Sequence, residues 1–166
     1  AAPVLLEYIR QYFNNNLVIV SPDAGGVERA RAFAKRLHAT LAIIDKRRDE
    51  DQKVNAMHIV GEVEGRAAII LDDMVDTGGT LTEAAIALAE NGALSINACC
   101  THAVLSGNAI RRIEESAIEN LIVTDSIPLQ PETKASKKVK VLTVANLLGE
   151  AIKRTHVNDS VSSLFV

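Results

Sequence analysis

The sequence predicts an α/β fold, with a mostly parallel sheet of about five or six strands and helices on both faces. Three observations carry that prediction. Short unbroken apolar runs, such as Leu17-Val18-Ile19-Val20 and Ala67 to Leu71, recur along the chain. Such runs mark strands buried on both faces. Segments with helical spacing separate them, as parallel strands joined by crossover helices require. The 166 residues are 48% hydrophobic and 23% charged, which suits one domain with an ordinary core and excludes a chain that is mainly disordered.

The elements follow in order. Val4 to Phe13 has helical spacing, and Leu17 to Val20 is a buried strand ending at Ser21-Pro22. Gly25 to Leu37 sets Ala30, Ala34 and Leu37 against Arg29, Arg31, Lys35 and Arg36, an amphipathic helix. Leu41 to Ile44 is a second buried strand. Lys46 to Asn55 is charged and lacks apolar anchors, so it reads as a loop, with Met57 to Val60 as a short edge strand. Ala67 to Leu71 is the third buried strand. Thr80 to Glu90 is an Ala/Leu-rich helix stopped by Asn91-Gly92, a C-terminal signal. Ile96 to Cys100, Leu121 to Thr124 and Val139 to Leu142 read as strands, and Asn108 to Glu115 and Ala145 to Arg154 as helices. Pro128 to Lys138, with two prolines, reads as a polar loop, and Ser160 to Val166 shows no clear period.

Charge and cysteine usage narrow the classes. Eighteen basic against 21 acidic residues leave a net charge of -3, so no global basic field invites nucleic acid. No apolar run reaches the roughly 18 residues of a membrane helix. The N-terminus lacks the basic and apolar regions of a signal peptide. It begins Ala1-Ala2-Pro3 without Met, which reads as a processed or truncated product. Cys99 and Cys100 are the two cysteines. As strand neighbours they face opposite ways and read as buried, reduced thiols of a cytoplasmic protein.

Parallel sheets bind ligands beyond the carboxyl ends of their strands, so the loops after strands deserve the closest reading. After the third buried strand the chain runs Asp72-Asp73-Met74-Val75-Asp76-Thr77-Gly78-Gly79-Thr80 into a helix. Glycines let several backbone N–H groups approach an anion. The helix start adds its positive dipole end, and Thr77 and Thr80 add hydroxyls. This is a phosphate cradle without the Gly-Lys-Ser/Thr ending of a P-loop. Asp72 and Asp73 can accept hydrogen bonds from the vicinal hydroxyls of a sugar or hold Mg²⁺. Cradle and acid pair together fit a ribose 5-phosphate moiety. This segment resembles the phosphoribosyl-binding motif of type I phosphoribosyltransferase-fold proteins.

Two more loops carry chemistry. After the first strand, Ser21-Pro22-Asp23-Ala24-Gly25-Gly26 opens a helix and offers Asp23 as a carboxylate for Mg²⁺ on a polyphosphate. After the second, Asp45-Lys46-Arg47-Arg48 places two cations two residues apart. On an extended trace Lys46 and Arg48 point the same way, suited to neutralising a transferring phosphoryl group.

In this order the three loops resemble those of the ribose-phosphate pyrophosphokinases, the phosphoribosyl pyrophosphate synthetases. The likeness continues through Ala98 to Gly107, Thr124 to Pro128 and Ser160 to Phe165. The resemblance implies a phosphoribosyltransferase-like domain corresponding to the C-terminal half of a two-domain enzyme. That enzyme transfers the pyrophosphoryl group of ATP to the C1 hydroxyl of ribose 5-phosphate, with AMP as the leaving group. It further implies Mg²⁺ as cofactor with Asp23 as its ligand, and Lys46 and Arg48 as catalytic cations. Arg48, Asp72, Asp73, Asp76, Thr77, Gly78, Gly79 and Thr80 would bind ribose 5-phosphate. Ser160, Val161, Ser162 and Phe165 resemble a regulatory segment for ADP or phosphate between subunits of a homo-oligomer, hexameric in the complete enzyme. His38, His58, His102 and His156 do not match the metal-binding histidine of the family's first half, and they read as structural. Asp49-Glu50-Asp51-Gln52 depart from the family's usual Pro, Arg and Asn residues in the catalytic loop. A phosphoribosyltransferase and a non-catalytic regulatory homologue of the synthetase remain the alternatives.

Overall fold

A computed structural model of the chain describes residues 1–13, 16–48 and 55–165. The chain opens with α1 (Ala2–Tyr12), where Pro3 occupies the first turn, a position at which the missing N–H costs nothing. It continues through β1 (Leu17–Ser21), α2 (Val27–Leu37), β2 (Thr40–Arg48), β3 (Asn55–Val60), β4 (Ala67–Leu71) and β5 (Met74–Val75). Then come α3 (Gly79–Glu90), β6 (Ser95–Cys99), β7 (His102–Ala103), α4 (Ala109–Glu115), β8 (Asn120–Thr124), α5 (Pro131–Ala135), β9 (Val139–Leu142) and α6 (Ala145–His156). A short 3₁₀ turn, Ser162–Leu164, lies near the end.

The main sheet has seven strands in the order β3-β2-β1-β4-β6-β8-β9. All neighbours pair in parallel except β2 and β3. The α/β class and the mostly parallel sheet are as the apolar runs predict. The strand count rises to seven because 55–60 forms a full edge strand. The expected loop over Lys46 to Asn55 is corrected at its two ends, while residues 49–54 lie outside the described residues. Strand β2 runs on through Lys46 to Arg48, and Arg48 faces Asn55 in the antiparallel register. An antiparallel edge pair tolerates polar residues that a buried parallel strand does not. Asp49 to Gln52 lie outside the described residues, as do the side chains of Lys46 and Arg48. Pro128 to Lys138 holds the short helix α5 with Pro131 at its start, so Pro131 initiates structure there rather than breaking it.

Period-two alternation sorts the strands' apolar residues onto two faces. Val18, Val20, Ala68, Ile70, Ala98, Leu121 and Val123 join Leu81, Ala85 and Leu88 of α3 and Ile113 of α4 on one side. Leu17, Ile19, Ile69, Leu71 and Ile122 join Leu5 and Ile9 of α1 and Phe33 of α2 on the other. Cys99 and Cys100 fall into opposite clusters, as adjacent extended residues must. Burial pushes both thiols up, Cys100 to about 12, so neither is a nucleophile at neutral pH. No helix among the described residues is long and apolar enough to cross a membrane.

Candidate active site

The strand order reverses beside β1. Strand β2 lies on one side of it, and β4, reached only after β3, lies on the other. This switch point splays the loops after β1 and β4 apart and leaves a crevice between them. The crevice is a cavity of about 430 Å³ lined by Asp23 and by residues 72–81. Two of the three loops singled out by sequence therefore meet in one place. The third, Asp45 to Arg48, forms the last part of β2, whose carboxyl end lies on the same edge of the sheet.

The first loop is fixed locally. Gly26 N–H donates to Asp23 Oδ1 at 3.0 Å, and Ser21 Oγ donates to the Asp23 carbonyl at 2.7 Å. Helix α2 starts directly after this turn without a side-chain cap, so its first N–H groups face the loop.

The second loop is shaped by what lies beside it. Strand β5 pairs in parallel with β7. Thr101 and His102 N–H groups donate to the Asp73 carbonyl, and Val104 and Leu105 N–H groups donate to that of Val75. Ser106 contributes its N–H to the Asp76 carbonyl at 3.0 Å and its Oγ to Asp76 Oδ1 at 2.5 Å. From α4, Arg112 Nη1 donates to the Thr77 carbonyl at 3.3 Å. The cradle is thus held by the segment after β6 and is not a free turn. Gly78 has φ +75° and caps α3 without a side-chain bond. That left-handed geometry favours glycine, and residues 78–81 at the start of α3 line the cavity.

The acid pair has a cation that sequence reasoning missed. Arg29 of α2 places Nη2 2.7 Å from Asp73 Oδ2 and Nη1 3.5 Å from Asp72 Oδ1. The signal was a basic residue in the first helical turn, where the dipole disfavours it. Ser106 and Arg112 were missed as well, because their roles depend on how α4 approaches the loop. Asp72 Oδ1 also accepts the Asp73 N–H at 2.8 Å.

The two carboxyls diverge in acidity. Burial, with the nearby Asp73 and Asp23 charges, raises Asp72 above the usual carboxylate range against the opposing Asp73 N–H bond. Asp73 is also raised by burial, but the Arg29 charge and hydrogen bonds outweigh it and leave Asp73 below that range. The sign for Asp72 follows by linkage: its contribution favours the fold below the ordinary carboxylate value and declines as pH rises through its raised native value. Asp73 contributes above the ordinary value and is lost as pH falls. Asp72→Asn keeps an acceptor for the Asp73 N–H and removes a desolvated charge. It is expected to raise the melting temperature at pH 7 and to reduce the decline with rising pH. A lower melting temperature than wild type at pH 7 would count against that account.

Among the described residues the tail joins neither apolar cluster. Arg154 Nη1 donates to the Ser160 carbonyl and to Ser163 Oγ, Ser160 and Ser162 hydroxyls lie 2.8 Å apart, and Phe165 is half exposed.

Comparison with known proteins adds relatives to this geometry. The phosphoribosyl synthetase-associated domain family matches residues 48–166. A ribose-phosphate pyrophosphokinase of Oceanobacillus iheyensis is 53% identical over 163 residues, covering 98% of this chain and 51% of that protein. One from Bordetella pertussis is 56% identical over 165 residues, covering 99% and 53%. The chain therefore spans about half the length of the curated relatives it matches. A phosphoribosylpyrophosphate synthetase structure from Mycobacterium smegmatis superposes with a TM-score of 0.84 at 35% identity, covering 93% of this chain and 50% of that one. A purine phosphoribosyltransferase from Pyrococcus horikoshii, at 18% identity and a TM-score of 0.52 over 84% of this chain and 81% of that one, shares the fold alone.

Proposed function

The chain belongs to the phosphoribosyl synthetase-associated family, and from that premise we propose that it carries the ribose 5-phosphate site of a ribose-phosphate diphosphokinase. The observation that carries the reading is the single cavity joining an anion cradle to an acid pair. In this reading the N–H groups of residues 77–80 and the Thr77 and Thr80 hydroxyls hold the 5-phosphate. Asp72, with Asp73 beside it, accepts hydrogen bonds from the ribose hydroxyls. Asp76, a carboxylate, does not donate to phosphate; its part is to anchor the cradle through Ser106.

The reaction is a transfer of pyrophosphate. The C1 hydroxyl oxygen attacks the β-phosphorus of ATP, the bond from that phosphorus to the α,β-bridging oxygen breaks, AMP leaves with the bond's electrons, and the hydroxyl gives up its proton. Such a transfer depends on positioning and charge stabilisation. Lys46 supplies a point charge, and the fork of Arg48 grips two oxygens, on phosphate or ribose phosphate. No group of three or more His, Cys, Asp or Glu among the described residues could hold a metal ion by itself. That suits Mg²⁺, which binds through one or two carboxylates together with substrate phosphates. Asp23 is the residue to hold it, and when bound the ion neutralises triphosphate charge. A regulatory role for Ser160, Val161, Ser162 and Phe165 toward ADP or phosphate, a homo-oligomeric assembly and a cytoplasmic setting belong to the same reading.

Calorimetric titration of this chain with ribose 5-phosphate, with and without Mg²⁺, tests the site. Saturable binding is expected. A folded chain that binds none would overturn the claim that this chain alone carries the site. Asp49 to Gln52, acidic in place of the family's usual loop residues, favour one second reading, a regulatory homologue. The full-length protein separates the two: ATP-dependent formation of phosphoribosyl pyrophosphate supports the enzyme, and ribose 5-phosphate binding without turnover supports the regulator.

A further inference from the structure

We propose that Arg29 is a positioning residue for ribose recognition, its forked guanidinium fixing Asp72 and Asp73 as a pair and tying them to the helix that follows Asp23. This rests on the ribose 5-phosphate reading of the site and assigns a residue that reading does not use.

The geometry carries the assignment. Asp23, Asp72 and Asp73 all line the cavity, and the Asp23 and Asp73 charges both bear on Asp72. Three carboxylates so close repel one another when all are ionised. Arg29 reaches two of them with separate nitrogens, Nη1 toward Asp72 and Nη2 toward Asp73. Asp72 Oδ1 lies 3.5 Å from Arg29 Nη1 and accepts the Asp73 N–H, and the Asp72 and Asp73 carboxyls also hydrogen-bond to each other. Held by Arg29 and the Asp73 N–H, the Asp72 carboxylate has restricted rotation where it lines the cavity. A cation in the first turn of α2 opposes the helix dipole. It gains nothing locally from that position, so its partners lie across the crevice. Arg29 also springs from the helix whose preceding turn holds Asp23. The same side chain therefore sets the distance between the loops after β1 and β4.

The role demands a fork. Lysine would bring one charge and no pair of in-plane donors. The contact with Asp73 is partly in solvent, since Asp73 is 59% and Arg29 35% exposed along the side chain. Exposure and screening limit its strength. The expected loss on removing it is about tenfold in affinity, the low end for a charge-assisted hydrogen bond.

The test titrates wild type, Arg29→Gln and Arg29→Lys with ribose 5-phosphate, 2-deoxyribose 5-phosphate and inorganic phosphate in Mg²⁺ buffer, with melting curves as a folding control. Wild type should bind ribose 5-phosphate more tightly than the deoxy sugar. Arg29→Gln should lose about tenfold for ribose 5-phosphate and nothing for inorganic phosphate, which uses the cradle alone, so that sugar discrimination shrinks. Arg29→Lys should recover only part of the loss. Equal losses for ribose 5-phosphate and inorganic phosphate would show a structural role and overturn the proposal. So would ribose 5-phosphate affinity unchanged in Arg29→Gln, and so would full recovery in Arg29→Lys. If wild type binds inorganic phosphate but does not prefer ribose 5-phosphate, the ribose reading itself falls, and this inference with it.

Discussion

Replacing Asp76 and Thr80 together by alanine is expected to weaken ribose 5-phosphate binding by about a hundredfold. The two side chains act differently. Thr80 lies in the first turn of α3 and lines the cavity, where its hydroxyl can donate to a phosphate oxygen. A hydrogen bond to a charged group contributes about 1.5–3 kcal/mol. Asp76 works through the protein: its Oδ1 accepts from Ser106 Oγ at 2.5 Å and its carbonyl accepts the Ser106 N–H. Without the carboxylate, the turn from Asp76 to Gly78 keeps its backbone bonds, the Thr82 hydroxyl's bond to the Gly78 carbonyl and the Arg112 contact to the Thr77 carbonyl. The N–H groups then lose some of the alignment that several donors on one anion require. Neither side chain belongs to the two apolar clusters, so the melting temperature should change little. Calorimetry with ribose 5-phosphate decides it, and a folded double variant that binds within tenfold of wild type would sink the cradle assignment.

The parts of this site that sequence revealed are those made within one short segment. Ile69-Ile70-Leu71 running into Asp72 announces a strand leaving the core, and Thr77-Gly78-Gly79-Thr80 announces a turn that opens a helix. Both are local choices, fixed by backbone conformation and by where apolar residues stop. The mostly parallel sheet was legible for the same reason, though not its full seven strands: its central strands are buried on both faces and read as apolar runs. What stayed hidden depends on contacts between distant segments. Arg29 and Asp73 are 44 residues apart, Ser106 and Asp76 are 30 apart, and no periodicity reports such a meeting. The misread of Lys46 to Arg48 and of Asn55 has a related cause. Charged residues on an edge hairpin carry no apolar signal, and the ladder from Ile43–Val60 to Arg48–Asn55 is held by backbone bonds. The two-residue strands β5 and β7 are too short to show any period, although they set the cradle beside the segment that braces it.

That edge hairpin supplies the largest expected effect on stability. Gly61 follows β3 with φ +121°, a conformation that side-chain-bearing residues rarely adopt. A Cβ there would lie 2.7 Å from the Leu41 carbonyl oxygen and 3.0 Å from Ala42 Cα. Both atoms are backbone of β2 and cannot swing aside as a side chain would. Gly61→Ala must therefore move β3 off β2 or twist its own peptide, at a cost of about 3 kcal/mol. For a chain of this length that corresponds to roughly 6–12 °C in melting temperature. Gly65 is the internal control. Its φ is +65°, but an added Cβ meets nothing within 4 Å, so Gly65→Ala should cost only about 1 kcal/mol of backbone strain. Equal melting temperatures for the two variants would show that the close approach at Gly61 is not what holds this end of the hairpin. Function separates along the same line. The cradle hangs from β4 and is braced by the segment after β6, so Gly61→Ala should keep ribose 5-phosphate affinity well below its melting temperature. Strand β2 carries Lys46 and Arg48 at its far end. A catalytic defect in the full-length variant, with binding intact, would therefore place the damage on the strand that bears the two proposed catalytic cations rather than on the proposed sugar pocket.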